Sequence, residues 1–153
     1  MKYVIVDIDG TVAHSATRQA KILQLLEVTP IKEMPWSELF KDCQLDKPLW
    51  VVIDLILAIA NKYHIVFCTS RNETFREKTR AWIDEYIGLW KAPLLMRKSI
   101  KDHRSDSIVK PELLKEAGIT TKNTAFIIED KNSIVQTWRD LGFTVLQPIN
   151  NEY

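Results

Sequence analysis

The chain has 153 residues, 46% hydrophobic and 27% charged, with a formal net charge of +1. That length suits one domain with a substantial core, and the near-neutral balance gives no overall electrostatic case for nucleic acid or a membrane surface. Cys43 and Cys68 show neither metal-type spacing nor a disulfide framework, so they read as reduced, partly buried thiols of a cytoplasmic protein.

Residues 2–7 read as a fully buried strand, because the run is apolar without alternation. It ends in Asp7, too early for a signal peptide. Residues 12–48 are the least regular part. A short helix is predicted over 16–26, and Pro30, Pro35 and Pro48 break any longer element. Trp36, Leu39, Phe40 and Cys43 suggest a small helical flap with an apolar face. Residues 49–61 read as a helix buried on most sides, interrupted by Asp54 and too short to span a bilayer. A second buried strand covers 65–68 and runs into Thr69-Ser70-Arg71-Asn72. Phe75, Thr79, Trp82, Ile83, Tyr86 and Trp90 then follow helical spacing. A third strand at 94–96 leads into a polar stretch, 97–107. Pro111 reads as a first-turn residue, which puts Lys110 at a helix start, and Gly118 as that helix's stop. A fourth strand, 124–128, ends in Glu129-Asp130. A helix over 132–141 closes at Gly142, and a fifth strand covers 143–146. Strands alternating with helices predict parallel βαβ units with right-handed crossovers.

Three of these strands end in polar clusters: Asp7 and Asp9, Thr69 to Arg71, and Glu129 with Asp130. In a parallel sheet those ends share one edge, where ligands of open α/β sheets bind. Carboxylates this close together are costly to bury without compensation, for which a divalent cation is the natural candidate. For the first pair alone, a plain Asp-Gly turn is the competing explanation.

Asp7-Ile8-Asp9-Gly10-Thr11, Thr69, Lys110 and Glu129-Asp130 resemble, in order, the four motifs of the haloacid-dehalogenase-like phosphatases. The resemblance implies an α/β, Rossmannoid three-layer fold: a parallel five-stranded sheet, helices on both faces, and a small cap at about 12–48. It implies Asp7 as nucleophile, forming an aspartyl-phosphate. Asp9 becomes the general acid, a role that needs a raised pKa, which neighbouring carboxylates would favour. Asp130, an Asp7 oxygen and the Asp9 main-chain carbonyl would hold Mg²⁺, with Glu129 contributing indirectly or through water. Thr69, with Ser70 and Arg71, would contact the phosphoryl group, and Lys110 would offset its charge. Gly10 permits the turn past the nucleophile, and the Thr11 hydroxyl can tie it.

Asp102-His103-Arg104-Ser105-Asp106-Ser107-Ile108-Val109-Lys110, residues 134–142, Thr69-Ser70-Arg71 and Thr79-Arg80-Ala81-Trp82 are similar to the 3′-phosphatase domain of phage-type polynucleotide kinase-phosphatases. This implies a phosphate at a DNA or RNA 3′-end as substrate. No Gly-rich loop followed by Lys-Ser/Thr occurs, so the sequence does not support a 5′-kinase activity. A nucleotide or other small phosphate ester is the alternative substrate, and a non-catalytic nucleic-acid-end binder the alternative class.

Lys91, Arg97, Lys98, Lys101 and Arg104 could form a patch that grips a polynucleotide backbone, or an ordinary solvated loop. Arg71 and Arg104 could instead clamp one phosphate, with Asp102 and Asp106 orienting them. Trp36 reads as packing in the flap or as a platform for a base. His14, His64 and His103 lack ligand spacing. No membrane association is expected, and the oligomeric state is open.

Overall fold

The computed structural model describes residues 1–148. Strand β1 (Tyr3–Val6) is central, flanked by β4 (His64–Asn72) and β6 (Thr124–Ile128), with β5 (Leu94–Arg97) and β7 (Val145–Leu146) outside them. All pairings in this five-stranded sheet are parallel. Both faces are covered, which explains the unbroken apolar runs. Val4 and Val6 of β1 face one cluster with Ile65 and Phe67 of β4. Ile5, Val66 and Cys68 face the other.

Helices α3 (Trp50–Ile59) and α4 (Arg76–Tyr86) cover the first face through Val52, Ile53, Ile56, Trp82 and Ile83. Helices α5 (Asp106–Glu116) and α6 (Asn132–Asp140) cover the second through Val109, Leu113, Leu114, Ile134, Val135 and Trp138. Fully burying one large apolar side chain contributes about 1.5–3 kcal/mol, so these ladders account for the three layers.

The 12–48 segment leaves and rejoins the fold at a two-stranded antiparallel ribbon. Its strands are β2 (Ala13–His14) and β3 (Lys47–Pro48), pairing Ala13 with Pro48 and His14 with Lys47. Between them lie α1 (Ala16–Leu26) and α2 (Trp36–Phe40). They share a small apolar cluster of Ile22, Met34 and Leu39, against which Leu25, Trp36 and Phe40 pack.

Several expectations need correction. Helix α3 is buried along one stripe only: Trp50, Val51, Leu55 and Leu57 are exposed. Apolar composition does not by itself decide burial. Helix α4 stops at Tyr86, short of Trp90, as a left-handed Gly88 follows. Pro111 lies inside α5, because Ser105 caps the helix earlier by accepting from the Ser107 amide at 3.2 Å. Lys110 is therefore in a helix interior and not at its start. Both cysteines are fully buried, not partly so. Strand β4 runs on to Asn72, and its register with β5 shifts between Thr69 and Asn72. Such irregularities re-aim side chains at strand ends.

Candidate active site

The bottom of the cleft is assembled from adjacent strand ends. Val6 pairs with Ile128, and the Asp7 amide donates to the Ile128 carbonyl at 3.0 Å. This sets Asp7 beside Glu129 and Asp130. Carboxylate oxygens of all three lie within 4.8 Å of one another, and all three residues are buried. Lys110 reaches in from α5, its Nζ donating to Asp7 Oδ1 and Glu129 Oε2, each at 2.7 Å. Gly10, at φ +85°, turns the chain back so that Thr11 Oγ1 sits 3.1 Å from Asp7 Oδ2 and 2.9 Å from Asp130 Oδ1. Its single hydroxyl proton serves one of them at a time.

Three carboxylates gather here, and the Lys110 ammonium bonds two of them. Burial, then Glu129, pushes the Asp7 carboxyl well above its ordinary range, with Lys110 opposing. Burial likewise raises Glu129. Burial acts against the Lys110 charge, yet Asp7 and Glu129 outweigh it and the ammonium stays protonated. The cluster is therefore short of positive charge. Its all-oxygen donor set and excess negative charge fit Mg²⁺, a hard cation that takes one or two carboxylates together with phosphate oxygens and water. Glu129 is already engaged at both oxygens, since Oε1 accepts from the Lys131 amide at 3.3 Å.

Asp9 belongs to a different cluster. Arg71 Nε and Nη2 donate to its two carboxylate oxygens at 2.9 and 2.8 Å. Arg18 Nη2 adds a third contact at 2.5 Å. Arg18 and Arg71 also both hold Asp46, Arg71 at 3.0 Å. The expectation of a raised Asp9 pKa is thus corrected. Burial alone would raise it, but Arg71 and Arg18 hold it well below the usual carboxylate range. Arg71 is corrected too: its guanidinium is fully buried on Asp9, Asp46 and Thr79 and does not offer a free phosphate clamp. Sequence reasoning missed Arg18 and Asp46. Both lie in the irregular 12–48 segment, where no periodicity marks a charged residue as inward-facing.

Thr69 is buried at the cleft, with Oγ1 accepting from the Arg71 amide at 3.2 Å. Ser70 lines the cleft beside it. The basic stretch does not form a patch. Lys91 lies over the Trp90 ring, in a depression bordered by Tyr3 and His64 at the other end of the strands. Arg97, expected in that patch, is instead buried and ties the 98–106 loop together through the Ser70, Asp102 and Arg104 carbonyls and Asp106 Oδ1. Asp106 therefore orients Arg97, not Arg71 or Arg104. Lys98 pairs with Glu116. Arg104 pairs with Asp102 and Glu112 at the surface.

Asp7, Asp9, Thr69, Ser70, Arg71, Asp102, Arg104, Asp106, Lys110, Glu129 and Asp130 all border one cavity of about 290 Å³. Its opposite wall comes from α1 and α2.

A parallel α/β sheet here carries a buried acidic cluster and a lysine at its carboxyl edge, where ligands of open α/β sheets bind. Solved structures share this fold. Pnkp1 of a Pnkp1/Rnl/Hen1 complex superposes with a TM-score of 0.78 at 24% identity, over 99% of this chain and 47% of that one. The HAD-family enzyme bt-2542 of Bacteroides thetaiotaomicron, in complex with magnesium and inorganic phosphate, gives 0.61 at 14% identity, over 100% and 96%. CbbY of Rhodobacter sphaeroides, in complex with phosphate, gives 0.65 at 13% identity, over 99% and 87%. The chain spans about half the length of the Pnkp1 chains it matches. The family model for the polynucleotide kinase PNKP phosphatase domain matches residues 35–153, and the chain belongs to that family. The match begins after Asp7 and takes in Thr69, Lys110, Glu129 and Asp130, and it makes the protein a haloacid-dehalogenase-type phosphoric monoester hydrolase.

Proposed function

We propose that this protein is a Mg²⁺-dependent phosphatase that removes the phosphate from polynucleotide 3′-ends through an aspartyl-phosphate on Asp7. The reading rests on one observation: Asp7, Glu129 and Asp130 converge, with Lys110 among them, in a chain of the PNKP phosphatase family. The likeness to Pnkp1 of an RNA repair complex supports a nucleic-acid end, RNA or DNA, as substrate.

In this mechanism an Asp7 oxygen attacks phosphorus as the bond to the leaving 3′-oxygen breaks. Asp9 protonates that oxygen, then takes a proton from the water that cleaves the acyl phosphate. At rest Asp9 is ionised against Arg71 and Arg18, so the proton it passes to the leaving oxygen is first taken up from solvent as substrate binds. An incoming phosphate dianion adds like charge beside it and raises its pKa. Arg71 and Arg18 are then positioning residues that act through Asp9. Thr69 and Ser70 contact the phosphoryl oxygens, and Lys110 offsets the repulsion between carboxylate and phosphate. Asp7, Asp130 and the Asp9 main-chain carbonyl would hold Mg²⁺, with Glu129 through water. When bound, the ion would neutralise phosphoryl charge. Arg104, oriented by Asp102, stands at the cavity edge, where it would meet a further phosphate of the strand. Asp106 acts on the substrate only through Arg97. The 12–48 segment serves as a cap on a single domain. Two free cysteines support a cytoplasmic location, and among the described residues no helix is long and apolar enough to cross a membrane.

A second reading, a phosphatase of nucleotides or other small esters, is favoured by the cavity's modest volume and the dispersal of the basic stretch. A phosphate-release panel separates the two. A 3′-phosphorylated oligonucleotide should be turned over in Mg²⁺, not in chelator, and its 5′-phosphorylated isomer should not. Equal rates on both ends would sink the end-specific reading. Mononucleotides outpacing oligonucleotides, with little salt dependence, would establish the second.

A further inference from the structure

The phosphoryl chemistry uses only one side of the cavity. The 12–48 segment adds a mostly apolar lining: Ile22 and Leu26 of α1, Ile31, and Trp36 and Phe40 of α2, with Gln19 as its one polar side chain among the described residues. Leu26 and Ile31 are 40% and 45% exposed, so this wall is wetted apolar surface turned toward a charged site. Phosphate transfer gives no reason for that, whereas the organic part of a phosphate ester does.

The two rings in this wall differ. Phe40 is occupied: Phe75 lies 5.5 Å away, and the guanidinium carbons of Arg18 and Arg71 lie 4.9 and 6.0 Å from its centroid. Among the described residues, no ring or cation stacks on Trp36. Its indole N–H donates to the Ile31 carbonyl at 3.3 Å, and it packs on the Ile22, Met34 and Leu39 cluster. The ring is therefore anchored, half-buried and at the cavity. The volume of about 290 Å³ lies near the lower end of small-molecule sites, a size suited to one nucleotide and too small for a paired end.

We infer that Trp36, with Ile22, Leu26 and Ile31, is the platform on which the nucleobase of the phosphate-bearing nucleotide stacks. The inference rests on the nucleic-acid reading above and deepens it. Every base has a π-face, so such a platform tolerates any sequence while requiring an unpaired terminal base. Base–aromatic stacking typically changes affinity by about tenfold to a hundredfold. The base could arrive on a polynucleotide end or on a free nucleoside 3′-monophosphate.

The test compares kcat/KM in Mg²⁺ for three probes: an oligonucleotide 3′-phosphate, the same oligonucleotide with an abasic terminal nucleotide, and a nucleoside 3′-monophosphate. Wild type should prefer the base-bearing end over the abasic one by about tenfold or more, mainly through KM. In Trp36→Ala that ratio should collapse toward unity, and Trp36→Phe should fall between. A wild-type ratio near unity overturns the platform without recourse to any variant, as does an unchanged ratio in Trp36→Ala. Failure of the polynucleotide reading looks different: the oligonucleotides are left intact while the mononucleotide is hydrolysed. Trp36→Ala must then raise KM for the mononucleotide, or the platform falls as well.

Discussion

Two ionic clusters share this cleft, and they are built on opposite principles. Around Asp7, Glu129 and Asp130, three carboxylates gather with Lys110, which bonds Asp7 and Glu129, all held on strand ends and one helix of the core. Around Asp9, two carboxylates and two guanidiniums alternate: Asp9 and Asp46 with Arg71 and Arg18. The first is unbalanced and leaves room for a cation and an anionic ester. The second is balanced, and it joins the core to the 12–48 segment. Trp82 adds to this tie by donating to the Asp46 carbonyl at 2.7 Å. The charge deficit surrounds the proposed nucleophile, and the balanced cluster holds Asp9 in position beside it.

The sharpest break between the clusters is Asp7→Asn, which removes the proposed nucleophile. Phosphate release should drop by about 10³-fold or more, while substrate binding persists. Wild-type turnover by this variant would refute the assigned step. Next comes Lys110→Ala, which leaves buried carboxylates without their ammonium. Urea denaturation in chelator should show a loss of about 3–5 kcal/mol, the scale for a broken buried pair, and a smaller loss in Mg²⁺ if a cation takes up the deficit. In the balanced cluster, a double-mutant cycle of Arg18→Ala and Asp46→Ala should give a coupling of about 1–3 kcal/mol. Additive effects would mean that the network does not act as a unit.

An effect confined to alkaline pH concerns Cys68, a buried core thiol that feels the charges of Lys110, Asp7 and Glu129. Burial pushes its thiol up to about 12, far more than Lys110 pulls it down. An unfolded thiol titrates near 8.5. The contribution from the neutral buried thiol is therefore full below pH 8.5 and is lost as pH rises toward 12, because the unfolded state releases the proton first. Wild type should lose about 2 kcal/mol more than Cys68→Ala between pH 8 and pH 10. Equal losses would show that the charges nearby, and not burial, govern this site.

The sheet and most of the acidic cluster were legible in the sequence, because strands and their polar ends are local patterns. An unbroken apolar run closed by Asp7, and another closed by Glu129-Asp130, require only that parallel strands share an edge. Lys110 was legible as a site residue, but its setting was misread. Pro111 suggests a helix start, whereas Ser105 captures the Ser107 amide and starts the helix sooner. The dispersal of the basic stretch was not legible either. Sequence proximity groups Lys91 with Arg104, but β5 carries the chain from one end of the sheet to the other between them.

The alternating elements and the residues at their ends follow from side-chain periodicity, which any stretch of chain carries within itself. The ionisation of Asp9 does not. Its partners come from α1, from the turn before β3 and from the displaced end of β4. Chain folding brings Arg18, Asp46 and Arg71 to within hydrogen-bonding distance of each other or of Asp9. At that range, in a low-dielectric site, the partner that arrives decides the charge.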